Sequence, residues 1–197
     1  LQVLTAFLVG IGLRFEWHST SQVPVDASYN DPPQDPVTPC DYFHVNSVEV
    51  DADGNYIVSA RNTWAVYKID ASTGKLIWTL GGKQSDFAMG PGTNFAWQHD
   101  ARRQPDGTLT LFDDEAAPAE SDHSRGVVLS LDEAAMTATL VREYLHPTPL
   151  LSSSQGNVQV LPNGNVLVGW GQEPWFTEYA PNDDGLFDAK FDTADQS

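Results

Sequence analysis

Short apolar runs alternate with polar positions along the whole chain, and helical spacing is almost absent, a pattern that predicts an all-β protein. Three turn signals punctuate it: Asp53-Gly54-Asn55, Asp106-Gly107-Thr108 and Asn163-Gly164-Asn165. Asp-Gly and Asn-Gly supply the positive φ angles that a tight hairpin needs. Each turn follows a strand with a polar head ("HVNSVEVD", "HDARRQ", "QGNVQVL") and precedes an apolar one ("YIVSAR", "LTLFDD", "VLVGWG"). Two more strands follow every time: "AVYKID" and "KLIWTL", "GVVLSL" and "TATLVREY", "FTEYA" and "LFDAKF". The hairpin glycines are separated by 53 and 57 residues.

Four strands per repeat at this period predict the blades of a β-propeller. A β-sandwich is the competing fold for evenly spaced turns, and the four-strand grouping favours the propeller. The predicted blades span residues 44–82, 95–144 and 155–191. Residues 20–43 form a connecting loop, extended by its prolines. "GLRFEWHS" resembles the fourth-strand segment "GKLIWTLGG", so residues 1–19 read as the end of an earlier blade. About three complete blades plus part of another cannot close a ring, which takes ~4–8. The expectation is therefore a single partial propeller domain, completed by missing blades of a longer protein or by self-association.

Composition narrows the partners. Of 197 residues, 27 are acidic and 10 basic, a formal charge of −17, which argues against nucleic acid as a partner because the field repels polyanions. Residues 3–13, "VLTAFLVGIGL", are too short to span a bilayer and lack the flanks of a signal peptide, so they read as strand material with no membrane insertion. Cys40 is the only cysteine, which rules out an intrachain disulfide. "DADGN" at 51–55 mimics the start of a calcium loop, but its glycine comes too early and no glutamate closes it. No close ligand pair announces a zinc site among His44, His99 and His123.

In a propeller the first strand of each blade lines the central channel, and the second runs back beside it. Counted back from the hairpin glycines, His44 lies ten residues before Gly54, His99 eight before Gly107 and Gln155 nine before Gly164, all at one channel mouth. Asn46 shares a strand face with His44. Arg61, seven residues after Gly54, returns to the same mouth; Asp114 takes the matching place in the next blade, and Arg125 opens that blade's third strand. Two histidines, an amide and two arginines in so acidic a chain suit a tetrahedral oxyanion, which wants guanidinium forks and neutral N–H donors. A histidine beside it could act as nucleophile or as general acid/base, and plain anion binding would use the same parts.

At these residues the chain resembles a known family. "DYFHVNSVEVDADGNYIVSAR", the "WTLGG" at 78–82, "FAWQHDAR", the "SRG" at 124–126 and "GNVQVLPNGNVLVGWG" together look like the arylsulfotransferases, over about residues 12 to 191. The resemblance implies a six-bladed propeller, an extracytoplasmic location and sulfuryl transfer from an aryl sulfate to a phenol, with no metal or cofactor. It implies that His99 is the nucleophile and becomes a transient sulfohistidine. By the same resemblance His44 protonates the leaving phenoxide, and Asn46 and Arg61 bind the sulfuryl oxygens; Arg125 and Gln155 enter from the channel-mouth count as further substrate-binding residues. Sulfuryl transfer spreads charge over three equatorial oxygens, much as phosphoryl transfer does, and preorganised donors stabilise it. Asp100 after the proposed nucleophile departs from the proven bacterial enzymes.

Blander readings compete with each residue. His99 could be an ordinary strand-start histidine, and Arg61 could pair with an acidic neighbour. The tryptophans at 64, 78, 97, 170 and 175, with Phe112, read mainly as packing between blades. The alternative function is a non-catalytic propeller that binds a small anion or a protein at the channel mouth.

Overall fold

The computed structural model describes residues 3–8, 12–35 and 37–192. Among the described residues the chain is all-β, with three antiparallel meanders of four consecutive strands, one of them extended by a short fifth strand, and one two-stranded hairpin. It divides into two compact units, Leu1–Phe87 and Ala88–Ser197.

The first unit opens with β1 (Val3–Leu8) paired antiparallel to β2 (Gly12–His18), so the apolar N-terminal stretch is strand on both sides of residues 9–11, which lie outside the described residues. The proline-rich connection that follows opens with two 3-10 turns, at Ser19–Ser21 and Val25–Ala27. Then β3 (Val45–Val50), β4 (Tyr56–Ala60), β5 (Ala65–Ile69) and β6 (Leu76–Gly81) form a meander, each strand paired with the next. Every residue of β5 is buried, as befits an interior strand covered on both faces. On one face Ala65, Tyr67 and Ile69 pack with Val58, Tyr42, Phe43 and Trp17 of β2. The other face carries Ile57, Val66 and Leu80, each fully buried.

Two side-chain devices complete this unit. The Gln22 amide donates to the Gly74 carbonyl while its oxygen accepts the Leu76 N–H at 2.8 Å, so one side chain stands in for a paired strand at the free edge of β6. The Asp51 and Asp53 carboxylates, in the motif that mimics a calcium loop, hold the Lys68 ammonium at 2.9 and 2.8 Å.

The second unit holds two sheets. In the first, β8 (His99–Arg103), β9 (Leu109–Asp113), β10 (Arg125–Asp132) and β11 (Thr137–Leu145) form a meander, and the two-residue β7 (Ala88–Met89) adds parallel to β11, a pairing the sequence pattern did not signal. In the other, β12 (Asn157–Val160), β13 (Val166–Gly169), β14 (Trp175–Tyr179) and β15 (Gly185–Lys190) repeat the arrangement. Phe112, Tyr144 and Val128 of the first sheet pack against Val158, Val166, Val168, Trp170 and Tyr179 of the second. The sheets approach closely where side chains are missing. A Cβ at Gly126 would lie 3.0 Å from Val158 Cγ2, and one at Gly156 would lie 2.3 Å from the Phe112 ring.

Candidate functional site

Each sheet is entered through a residue held in the left-handed region: His44 (φ +54), Trp97 (φ +59) and Gln155 (φ +68). Such angles are costly for residues with a Cβ and persist only where surrounding contacts enforce them. Here the same contact recurs. The peptide N–H groups of Asn62, Glu115 and Gln172 donate to the carbonyls of Phe43, Ala96 and Ser154, the residues just before the strained ones, at 3.2, 3.0 and 3.0 Å. His44, Trp97 and Gln155 therefore occupy one structural position in the three repeats.

Counting from the glycines placed His99 in that row, and β-bulges explain the difference. In β3 the register shifts between Val45 and Ser47, whereas in β8 it shifts later, between His99 and Arg102. A bulge adds a residue to one strand only, so counts along the chain and positions across the ladder diverge. His99 lies opposite Phe112, the place that Ser47 opposite Ser59 and Asn157 opposite Gly169 take in the other sheets. The bulge at Asn46 likewise breaks the strict alternation that set Asn46 and His44 on one face.

In the first unit, the Arg61 N–H donates to the His44 carbonyl at 2.9 Å, which sets these two residues side by side at the end of the sheet where β3 begins. The Arg61 Nη1 donates to the Asn62 amide oxygen at 3.3 Å, and Asn62 donates in turn to the Asp41 carbonyl at 2.5 Å. His44 Nδ1 lies 2.5 Å from Asp41 Oδ2, with both side chains nearly half exposed. His44, Asn46 and Arg61 are all half-buried.

In the second unit, His99 Nδ1 stands 2.8 Å from Asp114 Oδ2; the histidine side chain is 12% exposed and the aspartate is fully enclosed. The peptide N–H of Gln155 donates to His99 Nε2 at 3.3 Å. Asp114 was legible as the counterpart of Arg61 by its distance from the turn, but its contact with His99 was not. Ser124 helps to hold that segment, its hydroxyl donating to the Asp114 carbonyl at 2.6 Å. Beside the start of β12 opens a cavity of about 520 Å³, walled in part by Gly156, Asn157, Trp170, Trp175 and Phe176.

Arg125 is enclosed by its own neighbours. Its Nε donates to Asp113 Oδ2 at 2.9 Å, Nη1 to Glu143 Oε2 at 2.9 Å and Nη2 to the Asn94 carbonyl at 2.7 Å. Asp113 also accepts the Ala96 N–H at 2.9 Å. Burial pushes the Asp113 carboxyl above its usual range despite Arg125. Glu115 is pushed up to about 8, first by burial and then by the Asp113 charge and the hydrogen bond between the two groups. The Asp113–Glu115 pair consequently carries a proton at neutral pH.

Elsewhere, His123 meets Asp122 at an exposed turn, and His146 lies between the rings of Trp170 and Trp175. Phe112 and Trp170 meet edge-on at 5.8 Å in the packing between sheets, whereas Trp64 stacks on Tyr29 at 3.6 Å. Among the described residues no group of three or more His, Cys, Asp or Glu side chains could hold a metal ion. No helix among them is long and apolar enough to cross a membrane.

Solved structures similar to this chain are remote in sequence. A protein of unknown function from Bacteroides caccae is 14% identical, with a TM-score of 0.47, and the match covers 91% of this chain and 50% of the other. A catalytically inactive virginiamycin B lyase from Staphylococcus aureus, solved with quinupristin, is 11% identical with a TM-score of 0.49, over 79% of this chain and 44% of that one. A structure described as a putative 6-phosphogluconolactonase from Bacteroides fragilis is 18% identical with a TM-score of 0.49, over 75% and 39%. The chain thus spans half or less of the length of these structures. No curated protein matches the sequence significantly. The family model described as arylsulfotransferase (ASST) matches residues 15–192, which takes in every residue of the candidate site, and the chain belongs to that family.

Proposed function

We propose that this chain carries part of a sulfuryl-transfer site that moves the sulfuryl group of an aryl sulfate to a phenolic acceptor through a sulfohistidine at His99. The observation that carries the reading is the state of His99 within a chain of this family. Its imidazole is almost enclosed, with a carboxylate at one nitrogen and a donor N–H at the other. An imidazole nitrogen that accepts a peptide N–H presents its lone pair on that side, which is what attack on sulfur requires. His44 gives the departing phenoxide its proton, and Asn46, Arg61 and the Gln155 segment meet the sulfuryl oxygens. Arg125, its charge already met by Asp113 and Glu143, contributes to the site by fixing the strand end beside it.

The supporting architecture is a β-propeller. The three four-stranded sheets are its blades at residues 44–82, 95–144 and 155–191, residues 20–43 are the connecting loop and residues 1–19 the end of an earlier blade. Further blades, or another copy of the chain, complete the ring. The protein works outside the cytoplasm, on small aryl sulfates and phenols, and the reaction needs no metal or cofactor.

The test is incubation with 4-nitrophenyl sulfate followed by peptide mass spectrometry and an assay for released 4-nitrophenol. The expected result is a sulfuryl adduct on His99 that is absent from His99→Ala and is discharged by added phenol. A protein with all its blades that shows neither adduct nor phenol release, yet binds sulfate or a protein at this end of the sheets, overturns the enzyme reading in favour of a binding module.

A further inference from the structure

Asp114 is a buried acid that the proposed transfer does not use. It stands where Arg61 stands in the first sheet, seven residues beyond the hairpin glycine. Its side chain is fully enclosed and its Oδ2 faces His99 Nδ1 at 2.8 Å. On the other side of the ring, the Gln155 peptide N–H points at Nε2. A carboxylate accepts hydrogen bonds, so the proton belongs on Nδ1. A peptide N–H donates, so Nε2 must present its lone pair. Two partners from different segments, one just after β9 and one just before β12, thus demand one tautomer, and it is the tautomer with a nucleophilic Nε2.

We propose that Asp114 is the positioning residue of this site, holding His99 as its Nδ1–H tautomer with Nε2 as the attacking nitrogen. The inference rests on the reading of His99 as the nucleophile. In the step it supports, the Nε2 lone pair forms a bond to sulfur while the S–O bond to the aryl group breaks. That bond's electron pair leaves with the phenoxide, which takes its proton from the acid beside it. The ring then bears a proton on Nδ1 and the sulfuryl group on Nε2, and is cationic. The Asp114 carboxylate compensates that charge without taking the proton, as a preorganised partner does. When a phenol oxygen attacks sulfur, the phenol's proton passes to the group that gave one up in the first step, the N–S bond breaks and its electron pair returns to Nε2. The Gln155 N–H, displaced from Nε2 by sulfur, lies within reach of a sulfuryl oxygen.

The first measurement is ¹⁵N NMR of the histidine side chains in the unsubstituted protein, with His99→Gln to assign the signal. The expected spectrum shows a protonated Nδ1 and an unprotonated Nε2 at pH 7.5; an Nε2–H tautomer overturns the proposal. The second compares Asp114→Asn with the parent chain in sulfuryl transfer from 4-nitrophenyl sulfate. Loss of the negative partner should lower kcat by roughly 10²–10⁴-fold and leave KM within about threefold. An Asp114→Asn protein that folds and forms the His99 adduct at the parent rate overturns the positioning role alone. A parent protein with all its blades that forms no adduct overturns the role together with the reading it rests on. The NMR result needs no substitution at Asp114, so it stands even where Asp114→Asn does not fold.

Discussion

The Lys68 ammonium lies 2.9 Å from the Asp51 carboxylate, with both side chains about 5% exposed. Asp53 closes the other side at 2.8 Å from a half-exposed position. A strand residue therefore reaches back to clamp the hairpin turn between β3 and β4, in the place where the sequence mimics a cation loop. Breaking one half of a buried ion pair leaves an uncompensated charge, which typically costs about 3–5 kcal/mol. Lys68→Met should lower stability by that order in urea unfolding, and Lys68→Met with Asp51→Asn should recover much of it. A single variant within about 0.5 kcal/mol of the parent would show that the clamp contributes little. Despite burial, the hydrogen bond from Lys68 and those from Asn55 hold the Asp53 carboxyl below its usual range. Its contribution is thus present above the unfolded value of about 3.9 and is lost as the pH falls through the lower folded value.

A second prediction concerns the contact between the two sheets of the second unit. Gly156 has φ +97, and a Cβ there would sit 2.3 Å from the Phe112 ring. Both the backbone angle and the space exclude a side chain. Gly156→Ala should destabilise by about 2–4 kcal/mol, the sum of overpacking and a strained φ. The measurement is thermal unfolding of the variant, with Phe112→Leu added to make room. If relief of the clash restores none of the lost stability, the cost lies in the backbone angle alone.

The proton shared by Glu115 and Asp113 gives a pH dependence with a definite sign. Glu115 has its folded pKa raised from 4.5 to about 8, through burial first and Asp113 next. In that window the folded chain holds a proton that the unfolded chain has released, so stability falls as the pH rises from about 4.5 to about 8. Glu115→Gln, which keeps a hydrogen-bond donor facing Asp113, should flatten this part of the profile of Tm against pH. An unchanged slope in the variant would locate the dependence elsewhere.

Arg125 offers a fourth test. With Asp113, Glu143 and the Asn94 carbonyl around it, its guanidinium organises the end of β9 and β10. Arg125→Met should therefore lose about 3–5 kcal/mol of stability by stranding the buried Asp113. Arg125→Lys should lose less, because it keeps the charge and gives up the fork. If Arg125→Met is as stable as the parent but binds sulfate more weakly, the side chain serves the anion directly.

The strands were legible in the sequence because their signals are local. Asp-Gly and Asn-Gly turns fix φ within two residues, and period-two alternation marks which side chains face a core. The grouping of strands into fours followed from the same signals repeated. His44 and Gln155 could be matched by counting, since both stand at the first residue of a repeat. The third member of their row, Trp97, lies ten residues before Gly107, as His44 lies ten before Gly54. Its apolar side chain hid it behind the polar head that begins at Gln98, and the bulge that displaces His99 shows only in cross-strand hydrogen bonds.

Family and strand pattern were thus written in the chain itself: motif order names the first, and turn chemistry with alternation names the second. Which partner each charged group takes was decided only by the fold. Asp114 lies 15 residues from His99 and Gln155 lies 56 away, and they reach the same ring because adjacent strand ends converge. Arg125, read from spacing as an anion ligand, finds Asp113 and Glu143 first. Short-range sterics constrain the backbone residue by residue, but the pairing of charges depends on distance in space, and that exists only once the sheets have packed.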